Sequence, residues 1–116
     1  MKNLFIPYKL AVMAKEKGFD EPCFACHIGT NDFTISVAYS NSELVGSNYT
    51  AAPLYQQIVD WFREKHMIII GNPSKLMGGY FMSTVSLVDQ LPQSKPNSQE
   101  YYKCFNKALE EAFKLI

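Results

Sequence analysis

A chain of 116 residues is long enough for one domain and short for two ordinary ones. Its 47% hydrophobic, 14% aromatic and 19% charged composition is that of a folded globular protein, not a disordered one. Eleven Lys and Arg balance eleven Asp and Glu, and a chain of zero net charge lacks the electrostatic footprint for phosphate backbones or anionic membranes.

No run approaches the ~20 apolar residues of a membrane span. Leu4-Phe5-Ile6, stopped by Pro7 and Lys9, is far short of a secretory apolar region. Three cysteines is an odd count, and the aromatic content supplies a core without staples. The expectation is a single domain over residues 1–116, cytoplasmic, with reduced thiols.

Pro7 to Lys17 predicts the first helix. Proline suits a first turn, and Leu10, Ala11, Met13 and Ala14 recur at helical spacing. Gly18 supplies a left-handed stop, with Phe19 folding back onto the last turn. Two apolar stretches follow, Pro22–Ile28 and Phe33–Ser40, around Gly29-Thr30-Asn31-Asp32. The alternation of Phe33, Ile35, Val37 and Tyr39 with smaller polar residues marks a strand with one buried face, and the turn residues mark a hairpin. Residues 41–50, rich in Asn and Ser, read as a surface loop.

The second helix is expected from Thr50 as N-cap, with Pro53 in its first turn and His66 at its carbonyl end. Leu54, Ile58 and Phe62 form its stripe, widened by Tyr55, Val59 and Trp61. Met67 to Ile70 is a β-branched strand. Residues 71–79 read as a loop, Tyr80 to Val88 as a strand, and Leu91 to Asn97, with two prolines, as a connector. Asn97 and Glu100 have capping-box spacing for a last helix whose stripe is Tyr101, Phe105, Ala108, Leu109, Ala112, Phe113 and Ile116. The order α-β-β-α-β-β-α predicts an α+β fold: a mainly antiparallel four-stranded sheet with three helices. Leu54, Ile58, Trp61 and Phe62 are expected to pack onto Ile68 and Ile70 with Phe105, Leu109 and Phe113.

Cys23-Phe24-Ala25-Cys26-His27 matches the C-x-x-C-H haem-attachment pattern, with Met77 or Met82 as a distal ligand. Against haem stand the strand-rich middle of the chain and the lack of an export signal. Against zinc, a strand sends Cys23 and His27 to one face and Cys26 to the other, and a second ligand pair is missing. Neither a metal nor another cofactor is therefore expected. Asp60 and Glu64 are neighbours on one helix face, with His66 beyond them. That trio beside loop 71–79 is the one arrangement suited to acid/base chemistry, against a background reading of a solvated helix face. Tyr49, Tyr55, Tyr101 and Tyr102, near element ends, are candidate exposed anchors for a partner.

Ala14-Lys15-Glu16-Lys17-Gly18-Phe19, the stretch from Ala52-Pro53-Leu54-Tyr55 to Glu64-Lys65-His66, and the final Ala108-Leu109-Glu110-Glu111-Ala112 helix resemble a group of short phage- or prophage-encoded proteins of unknown function from gut bacteria. The resemblance spans most of the chain and implies a mobile-element accessory protein; it carries over no site residue. The expected function is a non-enzymatic protein-interaction module, with a protein partner or self-association. The alternatives are a small enzyme using Asp60, Glu64 and His66 beside loop 71–79 and, more remotely, a c-type haem protein through Cys23, Cys26 and His27.

Overall fold

Pro7 and Gly18 bracket the first helix, α1 (Tyr8–Glu16), in the computed structural model, which describes residues 2–44, 48–75, 81–87, 93–98 and 101–116. The Phe19 N–H bonds the Ala14 carbonyl at 2.9 Å and the Gly18 N–H bonds that of Lys15 at 3.2 Å. These are the two bonds that close a helix over a left-handed residue, and Gly18 takes φ +92° to make them. Leu10, Ala11, Ala14 and Phe19 are all buried.

The hairpin forms as β1 (Cys23–Ile28) and β2 (Asp32–Tyr39), with Gly29 at φ 62° in the turn. The register runs Ile28↔Asp32, His27↔Phe33, Cys26↔Thr34 and Ala25↔Ile35, then jumps to Cys23↔Tyr39. Residues 36–38 of β2 thus stand opposite the single residue Phe24, which is a β-bulge. On the other edge of β1 lies β3 (Tyr49–Ala51), pairing His27 with Thr50 and Cys26 with Ala51.

Here the structure corrects the sequence. The end of the expected loop 41–50 is strand, and Thr50 is a buried strand residue, not a helix cap. The second helix, α2 (Tyr55–His66), begins after Pro53, and the Ile58 N–H reaches the Leu54 carbonyl at 3.1 Å. The β-ladder with β1 outweighs the capping preference of an isolated threonine.

After α2 come β4 (Ile68–Ile70), β5 (Ser74–Lys75), β6 (Phe81–Leu87), β7 (Gln93–Ser98) and α3 (Tyr101–Lys114). Val85 pairs with both Ile70 and Gln93, and Phe81 with both Lys75 and Ser98. Hence β4 and β5 are two pieces of one interrupted strand on one edge of β6, and β7 lies on the other.

The α+β class and three α-helices hold among the described residues, and their ladder pairs are antiparallel. A single four-stranded sheet does not form. Each strand before α2 joins the sheet ordered β2-β1-β3, and each strand after it pairs with β6. The connector 91–97 is corrected too, since residues 93–98 are β7. An edge strand tolerates Pro96, whose missing N–H can lie on the side away from β6. Asn97 sits in that strand and not at a helix cap; Glu100 lies outside the described residues.

The chain divides into two compact units, Met1–Ile58 and Val59–Ile116. In the first, Phe5, Ala25 and Ala52 form an apolar cluster with Phe33 and Leu54 packed against it. Leu54, expected on the later sheet, therefore belongs to this cluster. In the second, Trp61, Phe62, Ile68, Ile70, Phe105, Leu109 and Phe113 are buried as expected. The Phe113 ring stands 4.8 Å from Phe62 and 6.5 Å from Trp61, and α3 lies against β4, β6 and β7. Burying each such side chain contributes about 1.5–3 kcal/mol. Among the described residues no helix is long and apolar enough to cross a membrane.

Candidate functional site

Three of the candidate residues lie on β1, the central strand of the first sheet. Alternation along a strand sets Cys23, Ala25 and His27 on one face and Phe24, Cys26 and Ile28 on the other. His27 is 5% exposed. Its Nε2 lies 3.0 Å from the Ile6 carbonyl oxygen, 21 residues earlier in the chain. A carbonyl can only accept, so Nε2 carries the hydrogen. The ring meets Tyr8 edge-on at 5.8 Å and Phe33 at 5.3 Å, and Phe33 in turn meets Phe5 at 5.4 Å.

Cys23 donates from Sγ to the Glu21 carbonyl at 3.4 Å. Burial pushes its thiol up to about 12, with the Glu21 carboxylate adding to the shift and a hydrogen bond with Gln57 opposing it. Gln57 itself donates to the Pro22 carbonyl at 2.8 Å, tying the start of α2 to the entry of β1. Cys26 is buried between its ladder partners Thr34 and Ala51, and burial raises its thiol as well. Both thiols are held protonated and are poor nucleophiles. Cys23, Cys26 and His27 are thus engaged with different neighbours and do not converge on one point. Among the described residues no three His, Cys, Asp or Glu side chains are grouped to hold a metal ion. Met77 lies outside the described residues, as does the side chain of Met82.

The helix-borne candidates separate in a similar way. Asp60 accepts from the Arg63 guanidinium at 3.2 Å, and Glu64 lies 3.7 Å from the same group. All three side chains are exposed, so these pairs contribute little to stability. His66 turns the other way, its ring 4.6 Å from Trp61 and 6.2 Å from Phe62. The acids therefore sit around an arginine and the imidazole sits on an aromatic surface. In loop 71–79, Ser74 and Lys75 form β5, and residues 76–79 lie outside the described ones.

Of the candidate anchors, Tyr49 is 40% exposed, whereas Tyr55 is buried, and Tyr101 and Tyr102 are half-buried against each other at 5.1 Å. Tyr55 opens α2 with its ring on the inward face, which overrides its position near an element end. The sequence reading missed Phe24, which is 59% exposed although it lies on the central strand. A signal was present, because Phe24 is out of phase with Cys23, Ala25 and His27. Ile35 is also exposed, contrary to the buried stripe expected through Phe33, Ile35, Val37 and Tyr39. It sits where the β2 register departs from regular pairing. The side chains of Val37 and Tyr39 lie outside the described ones.

No protein-family model, curated protein or solved structure matches the chain.

Proposed function

We propose that the chain is a non-enzymatic protein-interaction module that serves as an accessory protein of a mobile element, and that Phe24 anchors its partner. The observation that carries the interaction reading is Phe24 itself: an aromatic on the central strand of an ordered sheet, opposite a β-bulge and 59% exposed. A central strand gives its aromatic side chains ready burial, and bulges recur where a strand re-aims a side chain. Exposed aromatics of this kind supply much of the energy of protein interfaces. Tyr49, paired with Ile28, adds exposed apolar surface on the same face of the sheet. The mobile-element role rests on the sequence resemblance alone.

The arrangement of the titratable residues supports the same reading. Asp60 and Glu64 are paired with Arg63, His66 packs on Trp61, and the Cys23 and Cys26 thiols are held protonated. The test is a Phe24→Ser variant compared with the unaltered protein as bait in extracts of the native host. The interaction reading expects an unchanged or slightly raised melting temperature and loss of the captured protein. It is overturned if both baits capture the same proteins, or if the variant loses stability as a core substitution would.

A further inference from the structure

We propose that the partner seated on Phe24 is a second copy of this chain: the face of the first sheet that carries Phe24, Ile28 and Tyr49 closes on its own copy about a two-fold axis parallel to β1, with Asp32 of each copy meeting Lys15 of the other. This rests on the interaction reading and names its partner.

The ladder assembles the face. Side chains directly paired across antiparallel strands lie on the same side of a sheet. Asp32 pairs with Ile28 and Ile28 with Tyr49, so the three form one row across β2, β1 and β3. The next row on that face is Thr34, Cys26 and Ala51, and Phe24 stands two residues further along β1. Phe24, Tyr49 and Asp32 are exposed and Ile28 is half-buried. The middle row has short side chains, so Phe24 at one end and Ile28 with Tyr49 at the other stand above it.

Charge points to the occupant. Lys15 comes from α1, which lies against β3, and its exposed side chain donates from Nζ to the Tyr49 carbonyl at 3.3 Å. Across the sheet the order is therefore carboxylate, isoleucine, tyrosine, ammonium. That order is its own complement. A two-fold axis along β1 lays each Asp32 over the Lys15 end of the other copy, while Ile28 meets Ile28 and Phe24 stacks beside Phe24. An axis across the strands would instead gather both carboxylates on one side and both ammonium groups on the other. Aromatic pairs favour offset stacking, and facing sheets stand about 10 Å apart, a gap that two side chains fill. A contact of this isologous kind closes after two copies.

Size sets the strength. The six residues of β1 span about 20 Å, and the outer strands of the sheet stand about 10 Å apart. That area is well below the ~800 Å² per partner of a standard interface, so the dimer is reversible. Its exposed end contacts make it weaken with salt.

The test is sedimentation equilibrium of the intact chain from about 10 μM to about 1 mM, the range of weak association. A reversible dimer is expected, and Phe24→Ser should weaken it about tenfold or more. Asp32→Lys alone and Lys15→Asp alone each set like charges together and are expected to stay monomeric over that range. Both positions are exposed, so neither change disturbs the core. Mixed in equal amounts, the two variants are expected to recover the dimer, because every end contact between them again joins opposite charges. Should either charge variant not fold, the unaltered protein decides: its dimer must weaken between about 50 mM and about 500 mM salt. A chain monomeric at the highest concentration, a dimer indifferent to Phe24→Ser or to salt, single variants that still dimerise, or a mixture that stays monomeric overturns the second copy as partner. A monomeric chain whose Phe24→Ser variant still loses a captured host protein keeps Phe24 as the anchor for that protein; equal capture by both baits removes the anchor as well.

Discussion

Asn41 completes the hydrogen bonding of Ala51: its side-chain oxygen accepts the Ala51 N–H at 2.9 Å, while its amide nitrogen donates to the Phe19 carbonyl at 2.8 Å. One side chain thus joins the end of the α1 turn to β3. Ala51 is buried, so its N–H would have no water to replace a lost partner. Asn41→Ala is expected to cost about 2–3 kcal/mol in urea denaturation, because it removes one hydrogen bond and orphans a buried donor. Asn41→Asp keeps the acceptor but sets a carboxylate against the Phe19 carbonyl, and should recover less than half of that loss. An Asn41→Ala variant as stable as the original would show that the loop repacks to satisfy Ala51.

Met67 follows α2 with φ 57°, a left-handed conformation that side chains with a Cβ resist, and its side chain is 62% exposed. Left-handed backbone costs a non-glycine residue about 1–2 kcal/mol, and glycine loses about 0.5–1 kcal/mol more chain entropy on folding. Met67→Gly is therefore expected to stabilise the chain by about 0.5–1 kcal/mol. Met67→Val should destabilise it, since a branched Cβ is worse still at this φ. Paired thermal denaturation curves check both signs. A destabilised glycine variant would mean that the methionine side chain holds the turn.

The elements written into local sequence were legible. Pro7 and Gly18 marked the ends of α1, Gly29 the hairpin turn, and the Phe62 and Phe113 stripes the buried faces of α2 and α3. What escaped was non-local. Tyr49-Thr50-Ala51 has no strand pattern of its own and becomes β3 only because β1 lies beside it. The prolines around residues 93–98 argued for a connector, and only the pairing with β6 makes them an edge strand. The division into two sheets depends on which strands meet, which spacing along the chain does not encode. At the candidate site, alternation separated Cys26 from Cys23 and His27. The tie from His27 to Ile6 joins positions with no periodic relation, so nothing in the sequence announced it.

Gly71 is required by a close approach. A Cβ added there would stand 2.5 Å from Thr84 Oγ1, and the Gly71 N–H bonds the Thr84 carbonyl at 2.8 Å. The short, branched threonine side chain has little room to swing away from a fixed ladder position. Gly71→Ala is expected to cost about 1–3 kcal/mol, the usual range for overpacking. Thr84→Ala removes the clashing oxygen, so in that background the Gly71→Ala penalty should shrink below about 0.5 kcal/mol. A double-mutant cycle measured by chemical denaturation reads the coupling directly. Additive effects of the two substitutions would show that the penalty arises elsewhere.

Cys23 makes the stability of the chain fall at high pH. Its thiol is pushed from the ordinary 9.0 up to about 12, by burial first and the nearby Glu21 carboxylate second. The shift is upward, so the folded state holds the proton longer than the unfolded chain does. The stabilisation this represents is complete below the unfolded value and is lost as the pH rises from about 9 towards about 12. Denaturation midpoints should accordingly decline over that interval, and Cys23→Ala should flatten the decline while leaving any slope from other groups in place. Cys26 shifts in the same direction through burial and contributes with the same sign. Iodoacetamide at about pH 8 should modify Cys23 and Cys26 only after unfolding, since a buried protonated thiol is unreactive. Excess zinc should leave the midpoint unmoved, because Cys23, Cys26 and His27 are engaged with separate neighbours and an ion that bound the folded form would raise it. A midpoint that rises with zinc, or a Cys23→Ala variant with an unchanged alkaline slope, would show that the C-x-x-C-H segment rearranges in solution.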